Sequence, residues 1–255
     1  MKLNYKNFGS GQPLIILHGL FGSLDNWMTL AKKLSTSYEV FIVDARNHGQ
    51  SPKSDIFNYD VMADDLYAFL LEHQIIDPII LGHSMGGKTA MQFAINYPNK
   101  IDKLIVVDIA PKSYPVHHRT IIDGMLSLNF DIIKTRNEAD EQLSCFIPEP
   151  AVRQFLLKNI YWETKEKLAW RFNLPVINEN IEKVGVELNS LSPFNKPTLF
   201  VRGETSNYIT IEDYKNILNI FPKATIKSLN CGHWIHAEKP IEFHQLLTTF
   251  LNSSS

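Results

Sequence analysis

The sequence predicts an α/β fold: a mostly parallel, doubly wound sheet, with a helical cap inserted between two of its strands. Three observations carry this expectation. Short apolar runs alternate with stretches of helical spacing along most of the 255 residues, as expected for strands covered on both faces. A glycine-rich turn, Gly82-His83-Ser84-Met85-Gly86-Gly87, joins one such run to one such stretch. Residues 112–192 break the alternation, with several helical candidates and no clear strand.

The elements follow in order. Leu14–Leu17 is the first apolar run that reads as a strand. Trp27, Leu30, Ala31 and Leu34 then fall at i, i+3, i+4 and i+7, one face of a helix. Val40–Val43 and Ile79–Leu81 are the next strands. Beyond the glycine turn, Ala90, Phe93, Ala94 and Tyr97 repeat the helical spacing, and Pro98 stops it. Leu104–Val107 is a fourth strand, and Thr198–Val201 a fifth. Ile211, Tyr214, Leu218 and Phe221 share one helical face. Thr225–Leu229 is the last strand. Phe243, Leu246, Leu247 and Phe250 form a final helix, with Pro240 near its first turn.

The insertion divides the chain into a core, 1–111 with 193–255, and a helical cap, 112–192. Inserted before Thr198, the cap sits above the C-terminal ends of the strands, where open α/β sheets bind ligands. Phe130, Phe146, Phe155, Tyr161, Trp162, Trp170 and Phe172 cluster in it. Most of these are expected to pack the cap, with some lining an apolar pocket.

Composition narrows the function. A net charge of −2 gives no general attraction to nucleic acid or to an anionic membrane. No apolar run approaches the ~18 residues of a membrane span. Met1–Asn7 lacks the apolar core of a signal peptide. Cys145 and Cys231 do not make a disulfide framework. The expectation is a cytoplasmic enzyme, with its oligomeric state open between monomer and dimer.

The chemistry starts at Ser84. A serine in G-x-S-x-G between a strand and a helix is the pattern of a nucleophile elbow. The glycines permit a sharp turn, and the helix N-terminus favours developing negative charge. A serine hydroxyl needs a base, and the base needs an orienting acid. His233 follows the last strand and a glycine, and is the expected base. His236 is the competitor, read as a surface or supporting residue. His233-x-x-His236 lacks further ligands, so no metal is expected. The oxyanion donors are expected to be the backbone N–H of Met85 and one from the loop after the first strand, Leu20 first and Phe21 next. His18 reads as a loop brace. Two acids remain: Asp108, ending the strand beside the elbow strand, and Glu204, in the turn after Thr198–Val201. Asp108 is preferred, for its reach to His233 Nδ1. The place in that turn where the acid usually stands carries Ser206.

These residues carry a family likeness. HGLFGSLDNW (His18–Trp27), DARNHGQS (Asp44–Ser51), GHSMGGKTAM (Gly82–Met91), VDIAP (Val107–Pro111), WRFNLPVI (Trp170–Ile177) and GHWIHAEKP (Gly232–Pro240) together resemble the YbfF-type bacterial esterases and their mitochondrial abhydrolase-domain relatives. The resemblance spans nearly the whole chain. It implies an α/β-hydrolase fold with a cap after the family's sixth strand, hydrolysis of carboxylic esters, and no cofactor. It supports Ser84 and His233, and it matches the family's acid to Asp108. The Asp44–Ser51 loop reads as structural. The implied substrate is a small-molecule ester or acyl thioester. Rival readings are a menaquinone-pathway lyase, a C–C hydrolase or a haloperoxidase on the same fold, and a non-catalytic receptor. Arg119, Arg153 and Arg171 in the cap, ready to grip an acidic substrate, keep the lyase open, although the residue after the elbow glycines is Lys88.

Overall fold

The computed structural model of the chain describes residues 1–115 and 118–253. The chain opens with strands β1 (Tyr5–Phe8) and β2 (Gln12–Leu17), helix α1 (Met28–Leu34) and strand β3 (Tyr38–Val43). Helix α2 (Tyr59–Glu72), strand β4 (Ile79–His83), helix α3 (Met85–Asn96) and strand β5 (Lys103–Val107) follow. Helices α4 (Arg119–Leu126), α5 (Arg136–Ser144) and α6 (Pro150–Leu157) come next. A hairpin of β6 (Ile160–Trp162) and β7 (Leu168–Trp170) and short helices α7 (Leu174–Glu179) and α8 (Ile181–Val184) complete the insertion. The chain then returns through β8 (Thr198–Gly203), α9 (Tyr214–Ile220), β9 (Ala224–Leu229), α10 (Ile235–Glu238) and α11 (Pro240–Asn252).

Seven strands form one sheet in the order β1-β3-β2-β4-β5-β8-β9. Only β1 runs antiparallel, against β3. Leu14–Leu17, Val40–Val43, Ile79–Leu81, Leu104–Val107 and Leu199–Val201 are apolar at every position because both faces of the inner sheet are covered. The two-residue period of a strand sorts those side chains into two cores. Ile15, Leu17, Phe41, Val43, Ile80, Val106 and Phe200 face one side, with α2, α3 and the insertion. Leu14, Ile16, Val40, Ile42, Leu81, Ile105 and Val201 face the other, against α1 and α11. The registers Leu17↔Gly82 and His83↔Val107 bring the ends of β2, β4 and β5 together. That places the loop after β2, the elbow after β4 and the turn after β5 side by side.

Several expectations need correction. The insertion contains a short hairpin, β6 with β7, where no strand is expected. In this chain's own count it follows the fifth strand. The face proposed for α9 is also wrong: Ile211 and Leu218 are exposed, and Ile217 with Phe221 is buried. Ile211 lies in a 3₁₀ turn before the helix, so a single 3.6-residue period does not run through all four residues.

Within the insertion, Trp170 stacks on Phe172 and meets Phe130 edge-on. Phe146 and Trp162 are exposed. Polar contacts tie the segment to the core loops. Asn159 Nδ2 donates to Phe21 O at 2.8 Å, and Tyr59 Oη to Val184 O at 2.7 Å. Among the described residues, no helix is long and apolar enough to cross a membrane.

Candidate active site

Ser84 stands between β4 and α3 with φ 53° and ψ −118°. Positive φ is strained for a serine, and such strain concentrates at functional turns. Its N–H donates to Val107 O at 3.0 Å, and its carbonyl accepts from Lys88 N at 3.0 Å. The turn is therefore fixed from the sheet side and the helix side. Close approach explains the flanking glycines. A Cβ on Gly82 would collide with the carbonyl of Gly86. One on Gly86 would lie 2.5 Å from Leu17 O and 2.6 Å from His18 O. Backbone oxygens cannot repack, so Gly86→Ala should cost about 3 kcal/mol. Its thermal unfolding midpoint should fall by about 6–12 °C. An unchanged midpoint would mean that the elbow yields to the extra carbon.

Asp108 lies one residue beyond β5 with φ 49°. It is fully buried, so its carboxylate needs partners. Oδ1 accepts from Gly203 N at 2.9 Å. Oδ2 accepts from His233 Nδ1 at 2.8 Å and from Ser206 Oγ. Ser206 thus stands where the turn after β8 usually carries an acid, and it donates to the carboxylate of Asp108. Glu204, the other candidate acid, is exposed.

His233 is held from several directions, most of which sequence reasoning missed. Its carbonyl accepts from His83 Nε2 at 2.9 Å. A carbonyl only accepts, so His83 donates there. Burial, with His233 next, keeps the pKa of His83 well below the usual histidine range. Glu238 accepts from Gly232 N at 2.7 Å and from Trp234 N at 3.2 Å, bracing the loop on both sides of His233. The Tyr208 ring stacks on the imidazole, with centroids 4.1 Å apart. Among the described residues no hydrogen bond links Ser84 Oγ to the ring. Such bonds are often loose before substrate binds.

His236 is half-buried. Its ring stacks on Trp27 at 4.2 Å, and burial, with His233 next, lowers its pKa to about 4. His18 braces its loop: Nδ1 donates to Gly19 O at 2.8 Å, and Nε2 accepts from Ala45 N at 3.0 Å. Asp44 accepts from Leu24 N and Gln50 N, so its loop is structural. Phe21 is a correction. Its N–H donates to the buried His48 Nε2 at 3.2 Å and is taken. Leu20 lines the same cavity as Ser84.

One cavity of about 260 Å³ brings these groups together. Ser84, His233, His236 and Leu20 line it from the core, and Ile121, Val152, Phe155 and Leu156 from the insertion. None of Arg119, Arg153 or Arg171 is among its lining residues. Among the described residues, no group of three or more His, Cys, Asp or Glu is placed to hold a metal ion.

The α/β hydrolase fold family matches residues 12–142. The chain belongs to the α/β-hydrolase family. This α/β-hydrolase is 40% identical over 252 residues to the zebrafish (Danio rerio) sn-1-specific diacylglycerol lipase ABHD11, covering 95% of this chain and 79% of that one. It is 36% identical over 259 residues to the Escherichia coli esterase YbfF, covering 99% and 100%. A solved marine microorganism esterase superposes on it with a TM-score of 0.95 at 41% identity, covering 98% and 99%.

Proposed function

We propose that this α/β-hydrolase is a serine esterase that cleaves carboxylic esters through an acyl-enzyme on Ser84. The observation that carries the reading is the Asp108–His233 hydrogen bond at the edge of a cavity lined by Ser84. With Nδ1 on Asp108, Nε2 is the nitrogen that exchanges a proton with Ser84. In the first half-reaction Ser84 Oγ attacks the ester carbonyl as His233 takes its proton. The oxyanion gathers at the N–H groups of Met85 and Leu20. The tetrahedral intermediate collapses, and His233 protonates the departing alcohol. Water then attacks the acyl-enzyme by the same path, with His233 again as base, and releases the acid. The esterase and lipase names of the relatives support this chemistry.

The same reading divides the chain into a core of 1–111 with 193–255 and a cap of 112–192. The cap supplies the apolar walls of the cavity. Its four arginines are engaged elsewhere: Arg119 with Asn178, Arg136 with Ile160 O, Arg153 with Asp140, and Arg171 over the Tyr161 ring. A cavity without a guanidinium suits a neutral ester or acyl thioester better than the acidic substrate of a lyase. The free thiols of Cys145 and Cys231 support a reducing compartment, the cytoplasm.

The test is a panel of p-nitrophenyl esters and acyl thioesters of graded chain length, run below micelle formation. Turnover of the esters is expected, and its absence would favour a receptor. The cavity is smaller than the ~300–1,000 Å³ of most ligand pockets. A methylene that a pocket cannot take costs about tenfold or more. So kcat/KM for a C4 ester should exceed that for a C16 ester by about tenfold or more. A C16 preference would instead run the tail into the neighbouring groove of about 580 Å³, which shares Asn26, Phe155, Trp234 and His236 with the cavity.

A further inference from the structure

Lys88 follows the two elbow glycines on α3 and is fully buried. A buried ammonium is costly unless its protons find acceptors. Nζ donates to Lys112 O at 2.9 Å, to Gly185 O at 3.4 Å and to Val186 O. Three protons meet three carbonyls. The Tyr114 ring lies 4.9 Å from Nζ and the Tyr59 ring 5.7 Å, within reach of a cation–π contact. Burial pulls the pKa of this lysine down to about 7, with Glu187 opposing. The carbonyl acceptors favour the charged form.

The three carbonyls mark one place in the fold. Lys112 lies on the stem by which the chain leaves the core for the insertion. Gly185 and Val186 lie on the stem by which it returns. Tyr114 N bonds to Gly185 O at 2.7 Å and Leu188 N to Pro111 O at 2.8 Å, so the stems also hold each other. Among the described residues, 111–115 and 185–188 have no regular secondary structure of their own. Lys88 joins both to the helix that begins at Ser84.

We propose that Lys88 is a positioning residue for ester hydrolysis, clamping both stems of the insertion to the nucleophile helix and so fixing the insertion's wall of the cavity over Ser84. The proposal rests on the reading of Ser84 as nucleophile. It separates two properties. Reactivity of Ser84 depends on the elbow and on His233. Binding of a group that touches Ile121, Val152, Phe155 or Leu156 depends on where the stems hold those residues.

The test compares wild type with Lys88→Met, which keeps an unbranched chain one atom shorter and loses the donors. Lys88→Gln keeps two amide protons and carries the test if the methionine variant does not fold. Three quantities are measured: Ser84 labelling by a small fluorophosphonate, KM and kcat for p-nitrophenyl acetate and butyrate, and amide hydrogen exchange. In Lys88→Met, labelling and the acetate KM should stay within about threefold, and the butyrate KM should rise about tenfold. Exchange should quicken at 112–114 and 185–188 but not in β4 or β5. Lys88→Gln should show the same pattern, weaker. Equal losses on both esters, unchanged stem exchange, or unfolding of both variants would make Lys88 a core residue without a positioning role. Wild type that turns over ester without labelling at Ser84 would instead remove the nucleophile reading, whatever the stems do.

Discussion

Ser84→Ala is expected to lower kcat/KM by about 10⁴-fold or more while leaving the fold intact. The loss is large because, in the proposed mechanism, Ser84 supplies the electron pair that forms the acyl-enzyme. The oxyanion donors and the cavity remain and support only a residual rate. The fold should survive for two reasons. The Ser84 side chain makes no capping hydrogen bond to α3, and alanine carries the same strain at φ 53° as serine does. The measurement is paired. A fluorophosphonate should add once per wild-type chain, at Ser84, and not at all to the variant. Circular dichroism should superpose for the two proteins. An adduct on another serine, with Ser84 untouched, would end the assignment.

The parts of the molecule legible in the sequence are those dictated by local chemistry. The elbow could be read because collisions with backbone oxygens exclude side chains at Gly82 and Gly86. The inner strands could be read because burial on both faces leaves them apolar throughout. β1 was not legible: Tyr5-Lys6-Asn7-Phe8 is a short edge strand whose middle residues are exposed, so it carries no such run. The β6–β7 hairpin has three residues per strand, too few for alternation to register. Around His233, the contacts of His83, Tyr208 and Glu238 come from tertiary placement, and no spacing announces them. Phe21 could not be separated from Leu20 because the residue that takes its N–H, His48, lies 27 positions away. The reach of Asp108 to His233 Nδ1 was legible by its place beside the elbow strand. Its support by Ser206 and Gly203 was not.

Asp108→Asn should cost about 10²–10⁴-fold in kcat with little change in KM. The geometry leaves an amide no good orientation. The carboxylate accepts from Gly203 N on one oxygen, and from His233 Nδ1 and Ser206 Oγ on the other. If the Asn amide nitrogen faces His233, it donates to Nδ1 and forces the proton onto Nε2. The imidazole then turns a donor toward Ser84 and cannot act as its base. If the nitrogen faces Gly203 instead, two N–H groups confront each other in a buried site, at a cost of about 1–3 kcal/mol. The imidazolium also loses its anionic partner either way, and that partner matters most in the transition state. KM should hold because Asp108 does not line the cavity. Glu204→Gln should cost under about tenfold, since Glu204 is exposed and its backbone N–H, which the substitution keeps, bonds to Leu229 O. Both variants should be measured for kcat, KM and circular dichroism side by side. If Glu204→Gln proves the more damaging while both stay folded, the orienting acid belongs to the turn after β8. Asp108 would then serve to brace that turn against β5.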